Sequence, residues 1–200
     1  MTRHTKILPF LYAAAALFAG CATQPSDPHS RVASWADDVK IKHDPYIGET
    51  FVVQDKARWG DEMVDALWFS ALITDKDDPT VVLNLHHFDK NWAFFRRAVD
   101  RGQRPLPLSV DRQLNENTAM IEENMTVLLS VDYLRDAVLS GGIDFRLYGD
   151  RENREVKIGT RYILAFLEAL RREGVDIGGP LTTANATYFA GVESHPAGEN

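Results

Sequence analysis

The stretch Thr118-Ala119-Met120-Ile121-Glu122-Glu123-Asn124-Met125-Thr126-Val127-Leu128-Leu129-Ser130-Val131 decides how the body of this chain folds. Its period is two: Ala119, Ile121, Met125, Val127, Leu129 and Val131 fall on one side, Thr118, Glu122, Asn124, Thr126 and Ser130 on the other. Successive side chains on a strand point to opposite faces, so this is a strand with one dry and one wet side, the pattern of an antiparallel sheet. Glu123 falls among the apolar positions, and a carboxylate placed there needs a cation such as Arg112 or Arg146.

Upstream, the same period recurs. Phe51 to Gln54 reads as a short strand, and Val64 to Thr74 is dense enough in Leu67, Trp68, Phe69, Leu72 and Ile73 to be covered on both faces. Thr80 to His87 places Val81, Leu83 and Leu85 on one side, and Asp75-Lys76-Asp77-Asp78-Pro79 makes the two runs a hairpin. Asn91 to Asp100 fits either period, and its aromatic density favours a strand. Arg104 to Gln113 alternates through Leu106, Leu108 and Val110, with Pro105 and Pro107 marking a sheet edge.

Downstream the pattern changes. Ser130 or Asp132 can cap a helix carrying Leu134, Ala137 and Val138, stopped by Gly141-Gly142. Ile143 to Gly149 and Arg154 to Ile158 form a second hairpin. Thr160 is then expected to cap a last helix whose stripe is Ile163, Phe166, Leu167 and Leu170, with Arg171 and Arg172 at its C-terminus and Gly174 ending it. The fold class expected is α+β: an antiparallel β-sheet or sandwich of about seven to eight strands, with two helices of the C-terminal half packed against it.

The chain has 200 residues and one cysteine, Cys21. Before it stand Arg3 and Lys6, an apolar run from Ile7 to Ala19, and Gly20. A positive region, a short apolar run and a small-residue exit describe a secretory signal peptide, since a membrane span needs about 20 apolar residues. Leu17-Phe18-Ala19-Gly20-Cys21 resembles the lipobox of bacterial lipoproteins, with Leu one place early and Phe18 in the usual Leu position. That resemblance implies that Cys21 is the lipid attachment residue and becomes the new N-terminus. Ala22 stands where inner-membrane lipoproteins of Gram-negative bacteria carry Asp, which implies the outer membrane and its periplasmic leaflet. Tyr133-Leu134-Arg135, Phe145-Arg146-Leu147-Tyr148-Gly149 and Tyr162-Ile163-Leu164-Ala165-Phe166-Leu167 resemble an uncharacterised Gram-negative bacterial lipoprotein family whose C-terminal half runs helix, charged hairpin, helix. The likeness spans Glu49 to Leu170 and implies a fold with no activity attached.

The domain plan that follows is a signal peptide over 1–20, a lipidated cysteine and flexible tether over 21–45, one α+β domain over 46–174, and a loose tail over 175–200 with a short strand at 187–192. Within the tether, Arg31 to Lys42 reads as a short helix ended by Pro45. Loss of Arg3 and Lys6 with the leader takes the formal charge from −7 to −9, a poor match to nucleic acid.

Chemistry-bearing residues are sparse. His86-His87 with Asp89 is the compact group of metal-ligand types, yet neighbours on a strand face opposite ways and no second ligand group at zinc spacing exists. Asp75, Asp77 and Asp78 lack the glycine and distant Glu of a calcium loop. Lys90, Arg96, Arg97, Arg101 and Arg104 form a basic cluster, which a strand would split between its faces, and Glu122-Glu123 cannot serve as an acid-base pair on one face. No Gly-x-Ser-x-Gly, His-Glu-x-x-His, P-loop or dinucleotide glycine pattern is present. The function expected is therefore a non-enzymatic periplasmic binding or structural domain on an outer-membrane anchor, with an envelope protein as partner and no cofactor. Its rival is a metal-assisted hydrolase using His86, His87 and Asp89.

Overall fold

The structure, a computed structural model, describes residues 35–59, 65–115 and 120–178. The leader, Cys21, most of the tether and the strand expected at 187–192 lie outside the described residues.

Among the described residues, eleven strands form two antiparallel sheets, more than the seven to eight expected. The larger sheet runs β1(Lys40–Asp44), β2(Glu49–Val53), β4(Ala66–Thr74), β5(Thr80–Asp89), β9(Met120–Leu129), β8(Leu108–Asn115), with β3(Ala57–Arg58) also paired to β4. The smaller runs β11(Asn153–Ile158), β10(Ile143–Gly149), β6(Phe95–Asp100), β7(Pro105–Leu106). Register explains the apolar stripes. Phe69, Leu83, Val127 and Leu108 are cross-strand neighbours on β4, β5, β9 and β8, and the first three are fully buried. The two prolines do mark edges: β7 closes one sheet, β8 closes the other, and the chain crosses between them at Pro107, whose carbonyl accepts from Leu128 N–H at 3.1 Å.

Helix α1(Val131–Leu139) begins one residue earlier than the strand pattern allows, because Ser130 caps it: its hydroxyl accepts from Tyr133 N–H at 3.0 Å, and Val131 becomes helical. Gly141 and Gly142, both at positive φ, reverse the chain into β10. Helix α2(Thr160–Arg172) is capped by Gly159 without a side-chain bond, so Thr160 is its first residue and not its cap. Every residue of α2 from Ile163 to Leu170 is buried. The Phe166 ring stacks on Phe69 at 5.2 Å, and Gln54 donates to the Tyr162 carbonyl at 2.8 Å, which ties α2 to the inner face of the larger sheet.

Three segments depart from expectation. Residues 35–36 are helical, but Lys40–Asp44 is a strand paired to β2, although its mostly exposed side chains leave no apolar signal. Only the second half of Asn91–Asp100 is strand, since Phe94 at φ 55 breaks it before β6. The core also reaches into the segment expected to be loose, where Ile177 is buried and Val175 packs against it.

Candidate functional site

On β5 the buried stripe Val81, Leu83, Leu85 continues to His87, so an imidazole occupies a position the alternation reserves for an apolar side chain. His87 is 1% exposed, with Phe95 edge-on at 5.5 Å and Trp59 at 6.3 Å between ring centroids. A buried imidazole needs polar partners. Its Nδ1 lies 3.1 Å from Oδ1 of Asp65, which is equally buried. The same oxygen accepts from Phe88 N–H at 3.2 Å, and Oδ2 accepts from Arg154 Nη1 at 2.9 Å.

Arg154, on β11, also donates through Nε to Glu152 in the β10–β11 turn. Burial works against the charge of this guanidinium, but the bond to Glu152 and the carboxylates of Glu152, Asp65 and Asp89 outweigh it and raise its pKa. Asp89 shares the His87 side of β5 and accepts from the backbone N–H groups of Lys90 and Asn91. The ligand atoms of His87, Asp89 and Glu152 all lie within 4.8 Å of one another. His87 Nε2 is buried and makes no hydrogen bond. One imidazole nitrogen and two carboxylates from separate segments thus converge, and among the described residues they form the group that can hold a metal.

The other sequence candidates disperse. His86 faces the opposite side of the sheet, 3.8 Å from Glu122, so His86, His87 and Asp89 do not share a site. Asp75, Asp77 and Asp78 stand exposed in their turn. Arg96 pairs with Asp150, Arg97 lies over the Tyr148 ring, and Arg104 pairs with Asp100 at 2.7 Å. Arg96 and Arg97 are both exposed and take different partners, and the β6–β10 register shifts beside them at Tyr148/Gly149. Glu123 is fully buried against Arg112, as its place in the stripe implied, while Arg146 pairs with Glu155. Asp65, Glu152 and Arg154 were missed by sequence reasoning; the signal available was His87 itself, two residues past Leu85 on an apolar stripe.

Comparison with protein-family models, with curated proteins and with solved structures gives no match to this chain.

Proposed function

We propose that this chain is an outer-membrane lipoprotein of a Gram-negative cell, anchored through Cys21 and acting by contact with an envelope protein partner. The observation that carries the reading is the N-terminal pattern, in which Arg3 and Lys6 precede an apolar run that ends at the sole cysteine. An unpaired thiol in an exported chain is a liability that acylation removes.

The outer face of the larger sheet suits contact. Val53, Ser70, Val82 and Leu128 are cross-strand neighbours along one row, with Phe51 and Leu72 paired in another. Phe51, Val53 and Leu128 remain 38%, 37% and 47% exposed. Grouped apolar exposure of this kind marks interaction surfaces more often than scattered residues do.

The test is metabolic labelling with a clickable fatty acid in a Gram-negative host, comparing the native chain with Cys21→Ala. The native chain should carry label and fractionate with outer membranes, and the variant should do neither. Label retained by the variant would overturn the anchor. A photo-crosslinking residue at Leu128 tests the contact face, with adducts to a defined envelope protein expected there and none from exposed Asp111 on the polar end of the same face.

A further inference from the structure

We propose that His87, Asp89 and Glu152 form a binding site for a divalent transition-metal ion, with Asp65 orienting the imidazole. The inference is independent of the lipid anchor and of the contact face.

The carboxylate of Asp65 already accepts from Phe88 N–H and Arg154, so it acts as an ionised acceptor. The proton between Asp65 and His87 therefore belongs to Nδ1, which leaves the lone pair on Nε2. That nitrogen is the one left buried without a partner. A carboxylate that holds one imidazole nitrogen so that the other can ligate is the usual outer arrangement of a metal-binding histidine.

The remaining two donors come from different segments. Asp89 is held by backbone N–H groups at the end of β5, and Glu152 projects from the β10–β11 turn of the other sheet. Zinc-ligand bonds of about 2.0 to 2.2 Å put the donors around one ion roughly 3 to 4 Å apart. Separations within 4.8 Å come close to that spacing, and small side-chain movements close the remainder.

Charge points the same way. Asp65, Asp89 and Glu152 bring three negative charges, and among the described residues the permanent cation ion-paired within the cluster is Arg154. The surplus of two is what a divalent ion balances. One nitrogen and two carboxylate oxygens suit Zn²⁺ or Mn²⁺ better than the softer ions that thiolates select. Three protein ligands leave a coordination position open, as in exchangeable or catalytic sites and unlike closed structural ones.

The experiment is isothermal titration of untagged, chelator-stripped, full-length protein in detergent with ZnCl₂, repeated with MnCl₂. One ion per chain is expected, and Asp89→Asn and Glu152→Gln should each weaken binding at least about tenfold, on the scale by which ligand-shell changes act. Asp65→Asn should weaken it by about 10- to 100-fold, as for other outer partners of a metal-bound histidine. His86→Ala should leave it unchanged. Absence of binding in the native chain, or binding untouched by Asp89→Asn and Glu152→Gln, would overturn the site. A measurement without substitution guards against misfolded variants: in histidine ¹⁵N spectra of the native chain, Zn²⁺ should shift Nε2 of His87. A shift confined to His43 or His86 would equally overturn it.

Discussion

Arg112 Nε lies 2.9 Å from Oε1 of Glu123, a carboxylate with no exposed surface, and so joins β8 and β9 at a point where the two sheets meet. The second oxygen accepts from the backbone N–H groups of Ala93 and Phe94 at 2.9 and 3.2 Å, while Arg112 also donates to the Phe95 carbonyl. One buried glutamate of the larger sheet therefore fixes the chain where it enters the smaller one. It also holds Phe94 at φ 55, a conformation that bulky residues adopt only when their surroundings impose it. Removing one partner of a buried pair strands the other, so Glu123→Ala should cost on the order of 3 to 5 kcal/mol in urea unfolding. Glu123→Gln keeps an acceptor for the two N–H groups and should cost less. Equal losses would show that the charge, and not the hydrogen-bond geometry, holds this joint.

The position of Glu123 was legible from the alternation of residues 118–131, as were the β4–β5 and β10–β11 hairpins and the stripe of α2. Periodicity reports which side of a strand is buried. It does not report which strand lies beside which, so a sandwich could be expected but the assignment of strands to its two sheets, with β6 and β10 paired away from β5 and β9, left no trace. Lys40–Asp44 was invisible for a related reason, since its pairing to β2 uses backbone groups and its side chains are mostly exposed. At the site, His87 stood out as an imidazole on an apolar stripe, but Arg154 lies 89 residues from Asp65 and nothing local links them.

Phe166 is fully buried and stacked on Phe69, joining α2 to the larger sheet. A 13-residue helix is marginal alone in water, so its stability comes from this packing. Phe166→Ala should cost about 3 to 5 kcal/mol. Ile177→Ala should cost about 2 to 4 kcal/mol for the same reason, since Ile177 is only 3% exposed and belongs to the core. Urea midpoints of the two variants check both, and an Ile177→Ala protein as stable as its parent would place the end of the core before that residue.

Glu168 is bonded by Arg171 at 2.7 Å through both of its oxygens, and Arg172 lies nearby. The Arg171 hydrogen bond leads the effects that hold its carboxyl below the ordinary range, outweighing burial, which acts the other way. A folded-state pKa below the unfolded one means that the unfolded chain binds the proton first as pH falls. The pair's contribution is then present in full above the unfolded Glu value of about 4.3 and is lost as pH drops through the lower, folded value. Glu168→Gln should be less stable than the native chain at pH 7, and the difference should shrink below about pH 4. A constant difference across an acid titration of thermal unfolding would show that the variant loses packing alone.

Gly141 and Gly142 separate a backbone preference from a steric need within one turn. Both have positive φ, at 95° and 128°, where L side chains are strained. A Cβ on Gly141 would meet nothing within 4 Å, whereas one on Gly142 would sit 2.5 Å from the Ile158 carbonyl oxygen on β11. That oxygen belongs to backbone next to the start of α2 and cannot swing aside as a side-chain tip would. Gly141→Ala should therefore cost only the conformational penalty, about 1 to 2 kcal/mol. Gly142→Ala adds displacement of the β10–β11 hairpin against α1 and should cost more, with the excess visible as earlier hydrogen exchange at Ile143 and Ile158, whose pairing opens the hairpin. Equal costs, with exchange at those two amides unchanged, would mean that the close approach of Gly142 to β11 is not a constraint on the fold.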